Sequence, residues 1–227
     1  MMTIDIGGVT EGALVEYARI PIAFEVQTIL DIAVDHRHNG FRLSERLVAT
    51  AYVKDYDTEA DGPTQWPARF DTSRWGLMTA RIGGRCVGGA AVEYDTPELD
   101  ILEGRSDLAV LWDIRVLPQN RRQGVGAASF GAARAWALAR DCRQLKVETQ
   151  NVNVAACRFY AQRGCVRLCP TRRSPRCLPR MAGRSPAIVV QGSDPCGGRR
   201  LTSRWSRRRG TDAGAPRLIA NVSPIEA

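Results

Sequence analysis

Five consecutive stretches between residues 74 and 165 have patterns regular enough to predict structure. RWGLMTARIGGRCVGGAAVEYD, at 74–95, holds two extended apolar runs on either side of Gly83-Gly84, the signature of a tight hairpin. LAVLWDIRV, at 108–116, is almost continuously apolar, as a strand buried on both faces is. In GAASFGAARAWALARDC, at 126–142, Phe130, Ala133, Ala137 and Leu138 recur at helical spacing. QLKVETQ, at 144–150, alternates like a strand, and NVAACRFYAQRGC, at 153–165, reads as a helix closed by Gly164. The predicted order is hairpin, strand, helix, strand, helix. That order makes the chain an α/β protein with a mixed central sheet, an antiparallel hairpin followed by parallel strand-helix-strand-helix.

Upstream the pattern is weaker. ALVEYARIPIAFEVQTILDI, at 13–32, mixes short apolar alternations with a proline and predicts one or two strands. Residues 44–54 fit a short helix slightly better than a strand, and the acidic run at 55–71 predicts a loop.

Composition changes the picture only after Cys165. Residues 1–165 hold 19 basic and 21 acidic side chains, whereas 166–227 hold 13 basic and 3 acidic ones, so the tail alone accounts for the net charge of +8. All 13 are arginine, and the tail carries seven of the twelve prolines. Only PAIVV (186–190) and RLIANV (217–222) look strand-like there. So little apolar surface does not offset the entropy of ordering. The sequence therefore predicts one domain at 1–165 and an irregular, largely disordered tail at 166–227. RRLTSRWSRRR, at 199–209, clusters arginines around a stacking tryptophan, a composition suited to nucleic acid. Arginine without lysine among Pro, Gly, Ser and Cys is equally what a GC-rich gene gives when read in a shifted frame.

Several classes drop out. No apolar run approaches the length that spans a bilayer, and the amino terminus lacks the basic-then-apolar order of a secretory signal, so the expected compartment is the cytoplasm. The seven cysteines do not repeat as C-x-x-C or pair with His36 and His38 at metal-ligand spacing. They are read as reduced and structural, with no metal site.

The candidate chemistry lies in LPQNRRQGVGAAS, at 117–129, between a strand and a helix. Glycines there leave backbone N–H groups free at a helix amino terminus, where the dipole also favours negative charge. Gly124 and Gly126 allow close approach and Arg121 and Arg122 add charge, so a phosphate or pyrophosphate is the predicted ligand; tight packing is the competing use of such glycines. The nucleotide-binding G-x-x-x-x-G-K-[ST] is absent, and Ser129 stands where a dinucleotide fingerprint has its third glycine.

RRQGVG, at 121–126, resembles the R-x-x-G-x-G/A signature of the GNAT superfamily of acetyl-CoA-dependent N-acetyltransferases. Asn153, Ala156, Tyr160 and Gly164 match that family's second motif, N-x-x-A-x-x-x-Y-x-x-x-G. The wording of 108–126 with 143–165 is similar to the streptothricin acetyltransferase branch, and the resemblance covers residues 13–165. It stops where relatives continue with strands that close the sheet, which predicts that those strands are missing here.

The resemblance implies acetyl-CoA as cosubstrate, with the amides of Gln123, Gly124, Val125, Gly126 and Ala127 on its pyrophosphate and Arg121 and Arg122 assisting. Ile114 and Val116 would offer backbone groups to the pantetheine arm, and Asn153 would hold its far end. Tyr160 would lie near the thioester sulfur as proton donor, with Asp113 and Glu148, acids within predicted central strands, as candidate bases. The acceptor implied is a small-molecule amine, including streptothricin-type or aminoglycoside-like antibiotics, with resistance by N-acetylation as the outcome. Acidic residues at Asp55, Asp57, Glu59 and Asp61, and at Asp95, Glu98, Asp100 and Glu103, would steer such a cation or simply be solvated loop. Trp66, Trp75 and Tyr94 would line the pocket or fill the core. A homodimer is compatible with this reading. The competing class is a catalytically impaired GNAT-like protein whose arginine-rich tail binds nucleic acid.

Overall fold

The computed structural model describes residues 3–8, 11–35, 40–59, 62–97, 99–167, 189–190 and 217–222. In chain order its elements are β1 (Asp5–Gly8), α1 (Glu11–Ala18), β2 (Phe24–Asp35), β3 (Gly40–Lys54), α2 (Tyr56–Glu59), α3 (Trp66–Arg69), β4 (Gly76–Ile82), β5 (Arg85–Glu93), β6 (Leu108–Val116), α4 (Val125–Leu138), β7 (Gln144–Gln150), α5 (Val154–Ala161), β8 (Cys165–Arg167), β9 (Val189–Val190) and β10 (Arg217–Val222). They form two compact units, one built on Met1–Phe24 and Val53–Leu145, the other on Glu25–Tyr52 and the residues from Lys146 onward.

The first unit is an antiparallel sheet in the order β1-β4-β5-β6. Gly83 and Gly84, both at positive φ, make the predicted hairpin turn between β4 and β5. Two adjacent glycines of β5 let helices reach the backbone from opposite faces. A Cβ on Gly88 would stand 2.7 Å from Val125 of α4, and one on Gly89 would stand 2.9 Å from the ring of Tyr17 of α1. On the α1 side, Leu14, Tyr17, Ile20, Trp66, Trp75, Ala91 and Leu99 form a buried cluster. On the α4 side, Ala80, Val87 and Val125 pack together.

Pairing of β5 with β6 slips between Ala91 and Val92, which face Asp113 and Leu111, so that Trp112 is the extra residue in the register. This β-bulge turns Trp112 towards the same aromatic cluster that holds Tyr17, beside Asp113.

In the second unit β10 lies between β7 and β8 and is antiparallel to both, while β9 runs parallel to β8. β2 and β3 form a separate two-stranded sheet. Asn151 clips β2 to the end of β7: its carbonyl accepts from the Leu30 N–H at 3.0 Å and its Nδ2 donates to the Leu30 carbonyl at 2.9 Å.

Four expectations are corrected. The run at 55–71, expected to be a loop, holds the short helices α2 and α3 and a 3-10 turn at Pro63–Gln65 between them. Residues 11–18 are helical, because Leu14 and Tyr17, three apart, point inward while Val15 and Glu16 are exposed. Residues 44–54 belong to β3, where Leu47 and Val53 are exposed, so the apolar spacing there reported no buried face. The strands after Cys165 are present: β9 and β10 fall within the two strand-like segments of the tail. Residues 168–188, 191–216 and 223–227, including the arginine cluster at 199–209, lie outside the described residues, as do His36, His38, Asp61 and Glu98.

Candidate active site

β6 ends at Val116, and Pro118–Asn120 form a single 3-10 turn that carries the chain towards α4. The turn is completed by two left-handed residues, Arg122 at φ 61° and Gly124 at φ 89°. The first costs an ordinary side chain about 1–2 kcal/mol, and the second is the region glycine enters freely. Gly124 is the N-cap of α4 and offers no side-chain cap. Ala128 is the first amide to bond within the helix, to the Gly124 carbonyl at 2.9 Å. The amides of Gly124, Val125, Gly126 and Ala127 therefore precede the helical ladder and form the donor set of its positive end. Arg121 is exposed and folds back, donating from Nε to the Val116 carbonyl and from a terminal nitrogen to the Ala23 carbonyl, each at 3.3 Å. Gln123 donates to the Gln119 carbonyl at 2.8 Å and braces the loop, while Arg122 is exposed. Ile114 and Val116 are half-buried and pair with Ala90 and Gly88.

Asp113 is buried and occupied. Its carboxylate accepts from the Tyr17 hydroxyl and from Arg115, by Nε at 3.0 and 3.1 Å and by a terminal nitrogen at 2.9 Å. Arg115, with a side chain 2% exposed, also grips Asp57 through two 2.7 Å bonds and donates to the Ile20 carbonyl at 3.2 Å. Burial works against its charge, yet the two carboxylates outweigh burial and raise its pKa. Burial and the neighbouring Asp113 raise the Tyr17 phenol well above its usual value. Tyr17 and Arg115 are absent from the sequence-derived set. The signal for Arg115 was the D-x-R spacing in an otherwise apolar strand, which puts opposite charges on one buried face; Tyr17, 96 residues from Asp113, had none.

Glu148, Asn153 and Tyr160 belong to the second unit. Glu148 lies half-buried on β7, opposite Ile219 of β10. Asn153 is the N-cap of α5, its Oδ1 accepting from the Ala156 N–H at 3.0 Å. Tyr160 is buried on α5 with its ring edge-on to Phe159. Cys157 donates its thiol to the Gln150 carbonyl.

Of the candidate pocket aromatics, Trp66 and Trp75 are buried in the α1-side core, and the Trp75 indole N–H donates to Thr96 at 2.9 Å. Trp75 also borders an open cleft of about 470 Å³ with Gly7, Gly8, Met78 and Trp136. Tyr94 packs edge-on against Trp136. Among the described residues no group of three His, Cys, Asp or Glu side chains is arranged to hold a metal, and no helix is long and apolar enough to cross a membrane.

Comparison with known proteins agrees with this architecture. The chain is 30% identical over 141 residues to the streptothricin acetyltransferase of Escherichia coli, covering 62% of this chain and 69% of that protein. It is 41% identical over 54 residues to streptothricin acetyltransferase A of Bacillus subtilis, which covers 24% of this chain and under a third, 31%, of that relative. Among solved structures, nourseothricin acetyltransferase superposes with a TM-score of 0.55 at 23% identity, covering 72% of this chain and 84% of that one. A candidate streptothricin acetyltransferase from Bacillus anthracis, solved in complex with acetyl coenzyme A, superposes with a TM-score of 0.64 at 17% identity, covering 98% and 100%. These two likenesses are of fold. The profile of the acetyltransferase (GNAT) family matches residues 49–165, from β3 through α5 to the first residue of β8. With the uncapped, glycine-turned start of α4 inside that span, the chain belongs to the GNAT family of acetyltransferases.

Proposed function

We propose that this protein moves an acetyl group from acetyl-CoA to a primary amine on a small, cationic, streptothricin-type molecule, conferring resistance by N-acetylation. The observation that carries the reading is the helix start at 121–127: two left-handed residues, no side-chain cap and a row of amides ahead of the helical ladder. The amides of residues 123–127 receive the pyrophosphate, and Arg121 and Arg122 add charge at its rim. Backbone groups of Ile114 and Val116, beyond the bulge of β6, take the pantetheine arm as an added strand would. The Asn153 Oδ1 is spent on capping α5, so its amide nitrogen is the group that reaches the arm.

The acceptor is protonated at neutral pH and must lose that proton before its nitrogen attacks the thioester carbon. Glu148 takes the proton, directly or through water. Asp113 is assigned a holding role instead, because its carboxylate is already shared between Tyr17 and Arg115. The nitrogen–carbon bond forms to give a tetrahedral adduct whose oxyanion backbone amides stabilise, and the carbon–sulfur bond breaks as that adduct collapses. Tyr160 protonates the departing thiolate and is restored, through water, by the second proton that the acetylated nitrogen gives up, while Glu148 releases the first to solvent. No cysteine serves as nucleophile.

Thermal unfolding with and without acetyl-CoA tests the reading. At a concentration about 100 times its dissociation constant, acetyl-CoA should raise apparent stability by roughly 2.7 kcal/mol. A cooperative melt with no shift defeats it. Incubation with streptothricin should then release free thiol, and Tyr160→Phe should lower kcat about 100-fold with little change in acetyl-CoA affinity.

A further inference from the structure

The network around Arg115 has a part that neither the family motifs nor the proposed chemistry uses. Arg115 ties two separate pieces of chain to β6, the end of α1 through the Ile20 carbonyl and α2 through Asp57, while Asp113 beside it on β6 accepts from Tyr17. The guanidinium also lies over the Tyr17 ring, 5.6 Å from its centre. Asp57 is the outermost member, its side chain 32% exposed against 7% for Asp113 and 2% for Arg115. Two features show that the arrangement is built rather than incidental. Asp57 is itself set by an Asx turn, its N–H donating to the Asp55 carboxylate at 3.0 Å. Tyr17 reaches Asp113 only because Gly89 presents no side chain to its ring.

α2 is a single turn of four residues, too short to be stable on its own, so its seat on the strand depends on tertiary contacts. The two Arg115–Asp57 bonds form a bidentate fork between a planar guanidinium and a carboxylate, which fixes direction as well as distance. A lysine keeps the charge there but loses the fork.

We propose that Arg115 is a positioning residue for the transfer reaction: through Asp57 it holds α2 on the outer end of β6 and thereby sets where the amine acceptor sits. The inference rests on the acetyltransfer reading above. It assigns Arg115 to the acceptor side, so its loss affects use of the amine while acetyl-CoA binding, set by the amides of 123–127, stays intact.

The test uses the full chain with Arg115→Lys, Asp57→Asn and, as control, Arg46→Gln, which breaks the exposed Arg46–Asp31 pair. Asp57→Asn keeps the buried Arg115–Asp113 pair, so a fold failure in one variant leaves the other readable. Three quantities are measured well below the melting temperature: hydrogen exchange at 54–59, the acetyl-CoA dissociation constant by calorimetry, and kcat/KM for streptothricin. Both variants should speed exchange at 54–59 about tenfold, leave exchange in β4 and β5 unchanged and hold acetyl-CoA affinity within about twofold. They should also lower kcat/KM for streptothricin at least about tenfold, and Arg46→Gln should alter none of the three. Faster exchange with kcat/KM unchanged would reduce the network to a structural brace and overturn the proposal. Unchanged exchange would overturn it too, since α2 would not then depend on Arg115. Should the wild-type chain fail to bind acetyl-CoA, the acetyltransfer reading itself falls, and this inference with it.

Discussion

β6–α4 and β7–α5 are both strand-to-helix turns, and each leaves a first turn of amide donors to satisfy. The second turn closes itself: Asn153 folds its side chain onto the Ala156 N–H. The first does the opposite, placing glycine at the N-cap and a left-handed arginine two residues earlier. A capped start favours the helix, whereas a glycine-started one gives up only a few tenths of a kcal/mol of local stability and keeps its donors for something else. The two carboxyl ends, by contrast, agree. After α4 the chain buries Cys142, and after α5 it buries Cys165. The asymmetry between the steps is thus confined to their amino ends, where a ligand would bind.

Replacing Gly126 with leucine strikes hardest at this contrast. A helical Cβ leans towards the amino terminus, so the side chain would cover the first-turn amides. Acetyl-CoA affinity should fall at least about 100-fold by calorimetry, about 2.7 kcal/mol, with the melt still cooperative. Wild-type affinity would mean that the open helix start serves packing alone.

Alkaline pH should expose what the two carboxyl ends share. Burial pushes the Cys142 thiol up to about 11 and the Cys165 thiol up to about 12. A folded-state value above the unfolded one, near 8.5, stabilises fully below that unfolded value and is lost as pH climbs through the folded one. The unfolding free energy from urea melts should therefore drop between pH 8.5 and 10.5, by about 2 kcal/mol per thiol. Cys142→Ala should flatten part of that slope.

Removal of the closed cap has a smaller reach. Asn153→Ala should cost about 1 kcal/mol in urea denaturation, and Asn153→Asp should restore it, because an aspartate caps as well as an asparagine. If the aspartate variant recovers stability but not acetyl-CoA affinity, the amide nitrogen of Asn153 has the ligand role assigned above.

The mildest change is Arg122→Gln. An exposed charge at a helix start is screened, so affinity should weaken roughly threefold at low salt, with the difference gone near 0.5 M.

Much of this contrast was legible before any coordinates. The continuous apolar run of β6, the small-residue periodicity of α4 and the motif spacing of α5 arise from local pattern, and they gave the strand, loop and helix within a residue or two at most starts. What stayed hidden depended on distant partners. α1 looked like a strand because Leu14 and Tyr17 pack onto β5, more than seventy residues away in sequence, and eight residues show too little of a helical period to announce it. β3 misled because its apolar residues face outward. Asp113 was read from its place in a central strand as a base, but its actual partners, Tyr17 and Arg115, come from a helix and from two positions along the same strand. β10 announced itself only as six strand-like residues in an arginine-rich setting, with nothing in its own pattern to name its neighbours.

The place of β10 between β7 and β8 bears on how the protein is made. Val222 pairs with Cys165, more than fifty residues upstream, so the strand that lies between β7 and β8 is translated well after both of them. Until residues 217–222 leave the ribosome, β7 and β8 each present an open edge where a neighbour belongs, and joining them requires closing a long loop. The second unit is therefore completed only after β10 has followed β7 and β8 out, at a rate set by the search of one short strand for its slot. During that interval a chaperone able to shield unpaired edges would have the most to gain from binding.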